Sequence, residues 1–151
     1  MLELAREADF PFLSRLALEV QNQHAAWRPD LYRSGECPFD ESYLRECIQE
    51  KRLFVAKVGD ISAGFVLFRT WKTGGPGNVP RKIMDIDSIA VDAPFRSQGI
   101  GTQMMAELRV LAKAFGCTDL QLSVYPQNDE AVSFYQKCGF TIRNINMQTK
   151  L

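Results

Sequence analysis

Between Ile83 and Phe115 the apolar residues change from the two-residue period of a strand to helical spacing, and the change falls across Arg96-Ser97-Gln98-Gly99-Ile100-Gly101. On the strand side, Ile83, Asp85, Asp87, Ile89 and Val91 are expected on one face. On the helix side, Met105, Leu108, Ala112 and Phe115 repeat within Thr102 to Phe115, and Gly116 supplies a stop. A strand, a turn with Gly99 and Gly101, and a helix N-terminus together suit an anionic phosphate. Glycines let the backbone come close, the first N–H groups of the helix lack partners, and the helix dipole favours negative charge. Arg96 adds a planar, always-charged fork at the same place.

The phosphate-binding signatures G-x-G-x-x-G and G-x-x-x-x-G-K-[ST] are both absent around this turn. The spacing is R-x-x-G-x-G, preceded by Ile89-Ala90-Val91 and followed by a strand expected at Leu120 to Val124. Beyond it comes Asn128-Asp129-Glu130-Ala131-Val132-Ser133-Phe134-Tyr135-Gln136-Lys137-Cys138-Gly139-Phe140. In order and spacing, Ile83 to Met147 resembles the GNAT superfamily of acyl-CoA-dependent N-acyltransferases, and its last part resembles that family's N-x-x-A-x-x-F-Y…G-F segment.

Composition narrows the alternatives. At 151 residues the chain is expected to form one domain, 1–151, large enough to bury roughly two thirds of its unfolded surface. Eighteen basic residues balance eighteen acidic ones, so no net field favours nucleic acid or an anionic membrane as partner. No apolar run is long enough to span a bilayer, and Met1 to Glu7 does not read as a signal peptide. Cys37, Cys47, Cys117 and Cys138 have no C-x-x-C spacing and share the chain with one histidine, so no metal site is expected. The cysteines are expected as free thiols in a cytoplasmic protein.

Along the chain, Leu2 to Ala5 is a short strand candidate. Asp9 is expected to cap a first helix running to about Trp27, and Asp40 a second helix with Tyr43, Leu44, Cys47 and Ile48 inward. Leu53–Val58 and Ile61–Thr70 flank the hairpin signal Gly59-Asp60. Lys72 to Pro80 reads as a loop, Arg81–Val91 as the returning strand, and Phe140 to Met147 as a last strand. The order β-α-α-β-β-β-α-β-α-β is an α/β fold with a mixed, mainly antiparallel central sheet and helices on both faces. The GNAT fold has the same order, with a fourth and fifth strand that splay apart to admit the pantetheine arm. The resemblance places that gap between Ile83–Val91 and Leu120–Tyr125.

The resemblance further implies an N-acetyltransferase that moves an acetyl group from acetyl-CoA to a primary amine by direct transfer in a ternary complex. A protein or peptide N-acetyltransferase and a non-catalytic acyl-CoA sensor are the alternatives. By similarity, Ile89, Ala90 and Val91 would pair with the pantetheine arm, one of their N–H groups serving the oxyanion. Arg96, Ser97, Gln98, Gly99, Ile100, Gly101 and Thr102 would hold the pyrophosphate. Asn128 would cap a helix and touch the arm. Tyr135 would protonate the leaving thiolate, with an ordinary buried tyrosine as the competing reading. Asp87 is the candidate proton acceptor, with Asp85 as its competitor, and it needs a water relay or a raised pKa to act as one. The stretch His24 to Tyr32 resembles a segment that walls the acceptor pocket, so His24, Arg28 and Tyr32 are candidate substrate contacts; a helix-end histidine interacting with the dipole is the plainer reading of His24. Many members of the family form homodimers, some through the last strand.

Overall fold

The computed structural model describes residues 1–151. Five strands, β1 (Leu2–Leu4), β2 (Leu53–Val58), β3 (Ile61–Thr73), β4 (Arg81–Val91) and β5 (Asp119–Leu122), form one sheet in chain order. The first four pair antiparallel, β1 to β2 across the segment that carries α1 and α2 and β2 to β3 to β4 through short connections, and β5 joins β4 in parallel after a helical crossover. The helices are α1 (Phe10–Trp27), α2 (Glu41–Gln49), α3 (Ile100–Ala114) and α4 (Asp129–Lys137).

Alternation along the strands creates two cores, one on each face of the sheet. On one face, Leu13, Leu16 and Ala17 of α1 and Leu44 and Cys47 of α2 cover Val55, Phe65 and Leu67. On the other, Met104, Met105 and Leu108 of α3 cover Val66, Phe68, Met84 and Ile86, and Phe134 and Tyr135 of α4 pack at the margin. The Asp40 carboxylate accepts the Tyr43 N–H at 2.8 Å, the expected cap of α2.

Asp9 does not cap α1. Glu7–Asp9 form a 3-10 turn ahead of the helix, and the Asp9 carboxylate instead takes the Lys57 ammonium at 2.7 Å and the Arg6 N–H at 3.0 Å. A nearby cation outcompetes the helix terminus for a carboxylate this buried. β3 runs on to Thr73, three residues past the expected end at Thr70 and two into the segment expected as a loop, because Trp71, Lys72 and Thr73 find ladder partners in Ile83, Lys82 and Arg81.

The last strand expected at Phe140–Met147 does not form; residues 140–151 follow α4 without regular structure. Ile142, Ile145 and Met147 are exposed, and the outer edge of β5 has no strand beside it. A strand is defined by its partner, and alternation alone supplies none.

The face assignment of β4 also changes. Leu67 pairs with Ser88 but Phe68 pairs with Ile86, which leaves Asp87 as the extra residue of a bulge. Beyond it, Ile89 and Val91 therefore pack with Met84 and Ile86 against the α3 core, while Ala90 turns to the α1 face. Ile83, Asp85, Asp87, Ile89 and Val91 do not share one face.

Candidate active site

β4 and β5 pair only from Ile83 opposite Asp119 to Ile86 opposite Leu122. β4 then continues to Val91 bonded to β3 alone, so the two strands part and leave a main-chain edge over Asp87–Val91. Ile89, Ala90 and Val91 lie on this stretch, as expected, at the mouth of the gap.

The turn after β4 presents a run of unpartnered backbone donors. Ser97 and Gly99 adopt left-handed conformations, φ 60° and 80°, which turn successive N–H groups toward the same side. No backbone N–H from Ser97 to Thr102 has a main-chain acceptor; the first one satisfied is Gln103, bonded to the Gly99 carbonyl at 3.0 Å. These donors open α3 with its dipole behind them. The Arg96 side chain folds back, its Nε donating to the Val91 carbonyl at 2.9 Å, and Gln98 donates to the Pro94 carbonyl at 2.7 Å. The Gln98 side chain thus braces the turn from within, and the outward donors come from the backbone.

Gly101 joins this turn to α4. A Cβ there would stand 3.2 Å from the Phe134 ring, so any larger side chain would require that ring to give by a few tenths of an ångström. Asn128 caps α4 through its carbonyl oxygen, which accepts the Ala131 N–H at 3.2 Å. Tyr135 packs between Phe134 and Phe140, with ring centroids at 5.3 and 5.8 Å. Burial pushes its pKa up to about 12, with Cys138 adding to the shift. None of the side-chain hydrogen bonds in the structure involves its hydroxyl, which is not sealed from solvent.

Asp87 forms an ion pair with Arg69 at 3.2 Å, and the same guanidinium reaches Asp85 at 3.3 Å. Burial raises the Asp87 pKa and Asp85 repels its charge further, against the opposing pull of Arg69 and Arg52. It lines a cleft of about 570 Å³ with Tyr43, Arg52, Arg69 and Phe115 among its walls.

His24, Arg28 and Tyr32 come together at the C-terminal end of α1, joined by two residues the sequence reading missed, Trp27 and Tyr125. The His24 ring lies 5.2 Å from Tyr32 and 5.7 Å from Tyr125, and the two tyrosine hydroxyls meet at 2.8 Å. Burial lowers the His24 pKa, so the imidazole is neutral near neutral pH. Arg28 turns to Asp30 in a bidentate pair at 2.6 and 2.8 Å. Tyr125 lies three residues past β5, at the end of the stretch expected to border the gap, and nothing in Ser123-Val124-Tyr125-Pro126 singles out its side chain as a contact. No group of three or more His, Cys, Asp or Glu side chains is placed to hold a metal ion, and no helix is long and apolar enough to cross a membrane.

Comparison with known proteins follows the same lines. A family model described as the acetyltransferase (GNAT) family matches residues 18–140. An uncharacterized N-acetyltransferase of Bacillus subtilis, YdgE, is 33% identical over 72 residues, 48% of this chain and 46% of that one. A spermine/spermidine N(1)-acetyltransferase of the same organism is 26% identical over 97 residues, covering 64% of this chain and 62% of its own. The chain thus spans about half or less of the first curated relatives it matches and somewhat more of others. Among solved structures, a variant of the BH1408 protein from Bacillus halodurans superposes with a TM-score of 0.91 at 25% identity, covering 100% of this chain and 99% of that one. An aminoglycoside acetyltransferase, AAC(6')-Iy, with a CoA bisubstrate analogue shares the fold with a TM-score of 0.70 at 18% identity, covering 100% and 98%.

Proposed function

Since this chain belongs to the acetyltransferase (GNAT) family, we propose that it transfers an acetyl group from acetyl-CoA to a primary amine, directly, within a ternary complex. The observation that carries this reading is the run of unpartnered N–H groups from Ser97 to Thr102 beside the parting of β4 and β5. One feature suits a pyrophosphate and the other an extended amide-bearing arm.

The donor supplies a thioester carbonyl open to attack. The chain's own groups do the rest. The free edge of β4 at Ile89, Ala90 and Val91 pairs with the arm's amides, and an N–H of this edge faces the carbonyl oxygen as charge develops on it. The Ser97–Thr102 amides hold the pyrophosphate, with the open N–H groups of Arg96 at the rim.

Tyr135 donates to the departing sulfur. A phenol near 12 facing a thiolate whose acid lies near ~8.5 gives up its proton uphill by about 5 kcal/mol. Full transfer before the bond breaks is therefore disfavoured. The proton moves as the C–S bond lengthens, and the phenolate regains one from the newly bonded nitrogen.

Asp87 takes the first proton of the incoming ammonium. Its raised pKa brings it nearer to a useful base, and Arg69 beside it stabilises the carboxylate before the amine arrives. The amine is delivered to Asp87, with His24, Arg28 and Tyr32 as its candidate contacts. A small-molecule amine suits this reading. Spermine, spermidine and glucosamine 6-phosphate appear in the names of relatives, and aminoglycosides in those of structural neighbours. A homodimer in solution also belongs to the proposal.

The test is release of free CoA, read by mass spectrometry, from acetyl-CoA mixed with pools of polyamines, amino acids, amino sugars, aminoglycosides, aryl amines and short peptides. Turnover in one pool supports the enzyme and names its acceptor class. Acetyl-CoA binding without turnover in any pool favours the sensor reading, and no binding defeats the donor assignment.

A further inference from the structure

The strand that lines the gap ends on a buried carboxylate, at the foot of a turn proposed to hold two phosphates. Asp92 is 8% exposed. One of its oxygens accepts the Ala93 N–H at 2.9 Å, capping the 3-10 turn Ala93–Phe95 that leads into Arg96. Its own N–H is fixed to the Ala63 carbonyl at 2.8 Å. A negative group five residues before Ser97 would oppose an anion held at Ser97–Thr102.

The chain answers with a residue from far away in sequence. Arg15 of α1 lays a two-pronged guanidinium on Asp92, Nη2 to Oδ2 at 2.6 Å and Nη1 to Oδ1 at 3.2 Å. Arg15 is itself steadied by Glu19 at 2.7 Å and by the Phe12 ring at 5.4 Å. The charged groups around Asp92 are Arg15 and, more distantly, Arg96, both of which lower its pKa. Asp92 therefore stays ionised at any pH the enzyme would meet, and its charge has to be masked rather than titrated away.

Resting on the proposed acetyl-CoA site, we propose that Arg15 is a positioning residue for the donor: by masking Asp92 it keeps the Ser97–Thr102 turn receptive to a diphosphate. An anchor alone would make either half of the pair equally necessary. A mask makes them unequal, because removing Arg15 uncovers a negative charge beside the phosphates, whereas removing the Asp92 charge uncovers a positive one. An asparagine at position 92 still accepts the Ala93 N–H through its carbonyl oxygen, so the local turn survives.

The experiment compares affinity for CoA with affinity for pantetheine, which has the same arm but no phosphate. Binding of both would be measured by calorimetry and NMR titration in wild type, Arg15→Gln, Asp92→Asn and the double variant, with a thermal melt of each. R15Q is expected to lose roughly tenfold in CoA affinity with pantetheine unchanged, the loss shrinking at high salt. D92N should bind CoA as tightly as wild type or tighter, and adding it to R15Q should restore binding. Equal losses for CoA and pantetheine, or no recovery in the double variant, would overturn the proposal. Should R15Q not fold, D92N carries the test by itself: weaker CoA binding in that variant means an anchor and not a mask. Failure of wild type to bind CoA at all would strike the underlying donor assignment instead.

Discussion

The hydroxyls of Tyr32 and Tyr125 stand 2.8 Å apart and join the loop after α1 to the segment after β5, two pieces of chain 93 positions apart. The bond, together with burial, raises the Tyr32 pKa to about 12, so the Tyr32 hydroxyl stays protonated under ordinary conditions. With His24 packed against both rings, it belongs to the cluster proposed to contact the amine. Tyr125→Phe removes this bond and little else. It should cost about 1 kcal/mol of stability and raise KM for the amine several-fold, with CoA affinity unchanged. Denaturant unfolding and steady-state kinetics check the two effects separately.

Tyr135→Phe addresses the departing sulfur. Turnover should fall roughly a hundredfold, the low end for a positioned acid because a thiolate leaves readily without one. CoA affinity should hardly change, since the ring stays packed between Phe134 and Phe140. Burial keeps the phenol protonated up to about 12, so wild-type turnover should show no alkaline limb from this group below pH 10. A pH–rate profile of both forms checks it, and equal turnover removes Tyr135 from the mechanism.

Asp87→Asn separates activity from stability. The folded protein raises this pKa, so the charged carboxylate is less comfortable here than in the unfolded chain. That penalty is absent below the unfolded value near ~3.8 and is fully present above the raised folded value. At neutral pH the variant should therefore melt at the same temperature as wild type or higher, while kcat/KM for the amine falls and its acid limb disappears. Calorimetry together with a pH–rate profile reads both.

Acid should unfold the protein through two other carboxylates. Asp92 is held low by Arg15, and Asp9 is pushed up by burial but brought lower overall by Lys57, the Arg6 N–H and Ser62. Both contribute stability that is present above the unfolded value near ~3.8 and is lost as pH falls through their lower folded values. Melting temperature should drop below about pH 4, and Asp92→Asn should flatten part of that drop. Melts taken at half-unit steps of pH check the sign.

What could be read from the chain beforehand was local. Gly99 and Gly101 after a strand, the caps Asp40 and Asn128, the stop at Gly116 and the hairpin at Gly59-Asp60 each act within a few residues of themselves. Their physics, positive φ, unpartnered N–H groups and side chains folding onto nearby backbone, needs no distant partner. That is why the glycine turn and the helices around it are legible from sequence.

The remaining features depended on partners. Asp87 became a bulge because of how β4 meets Leu67 and Phe68 on β3, and that register decided which face Ile89 and Val91 occupy. Phe140–Met147 has the alternation of a strand, yet it finds no edge to bond and stays unpaired. Tyr125 gained a role only when Tyr32 arrived, and Arg15 only when α1 crossed to Asp92. Sequence alone determined where a turn with unpartnered N–H groups would open a helix, because backbone conformation is set by neighbours in the chain. The tertiary structure decided which side chains come together around it, because pairing, burial and ion pairing are properties of contacts that the linear order does not contain.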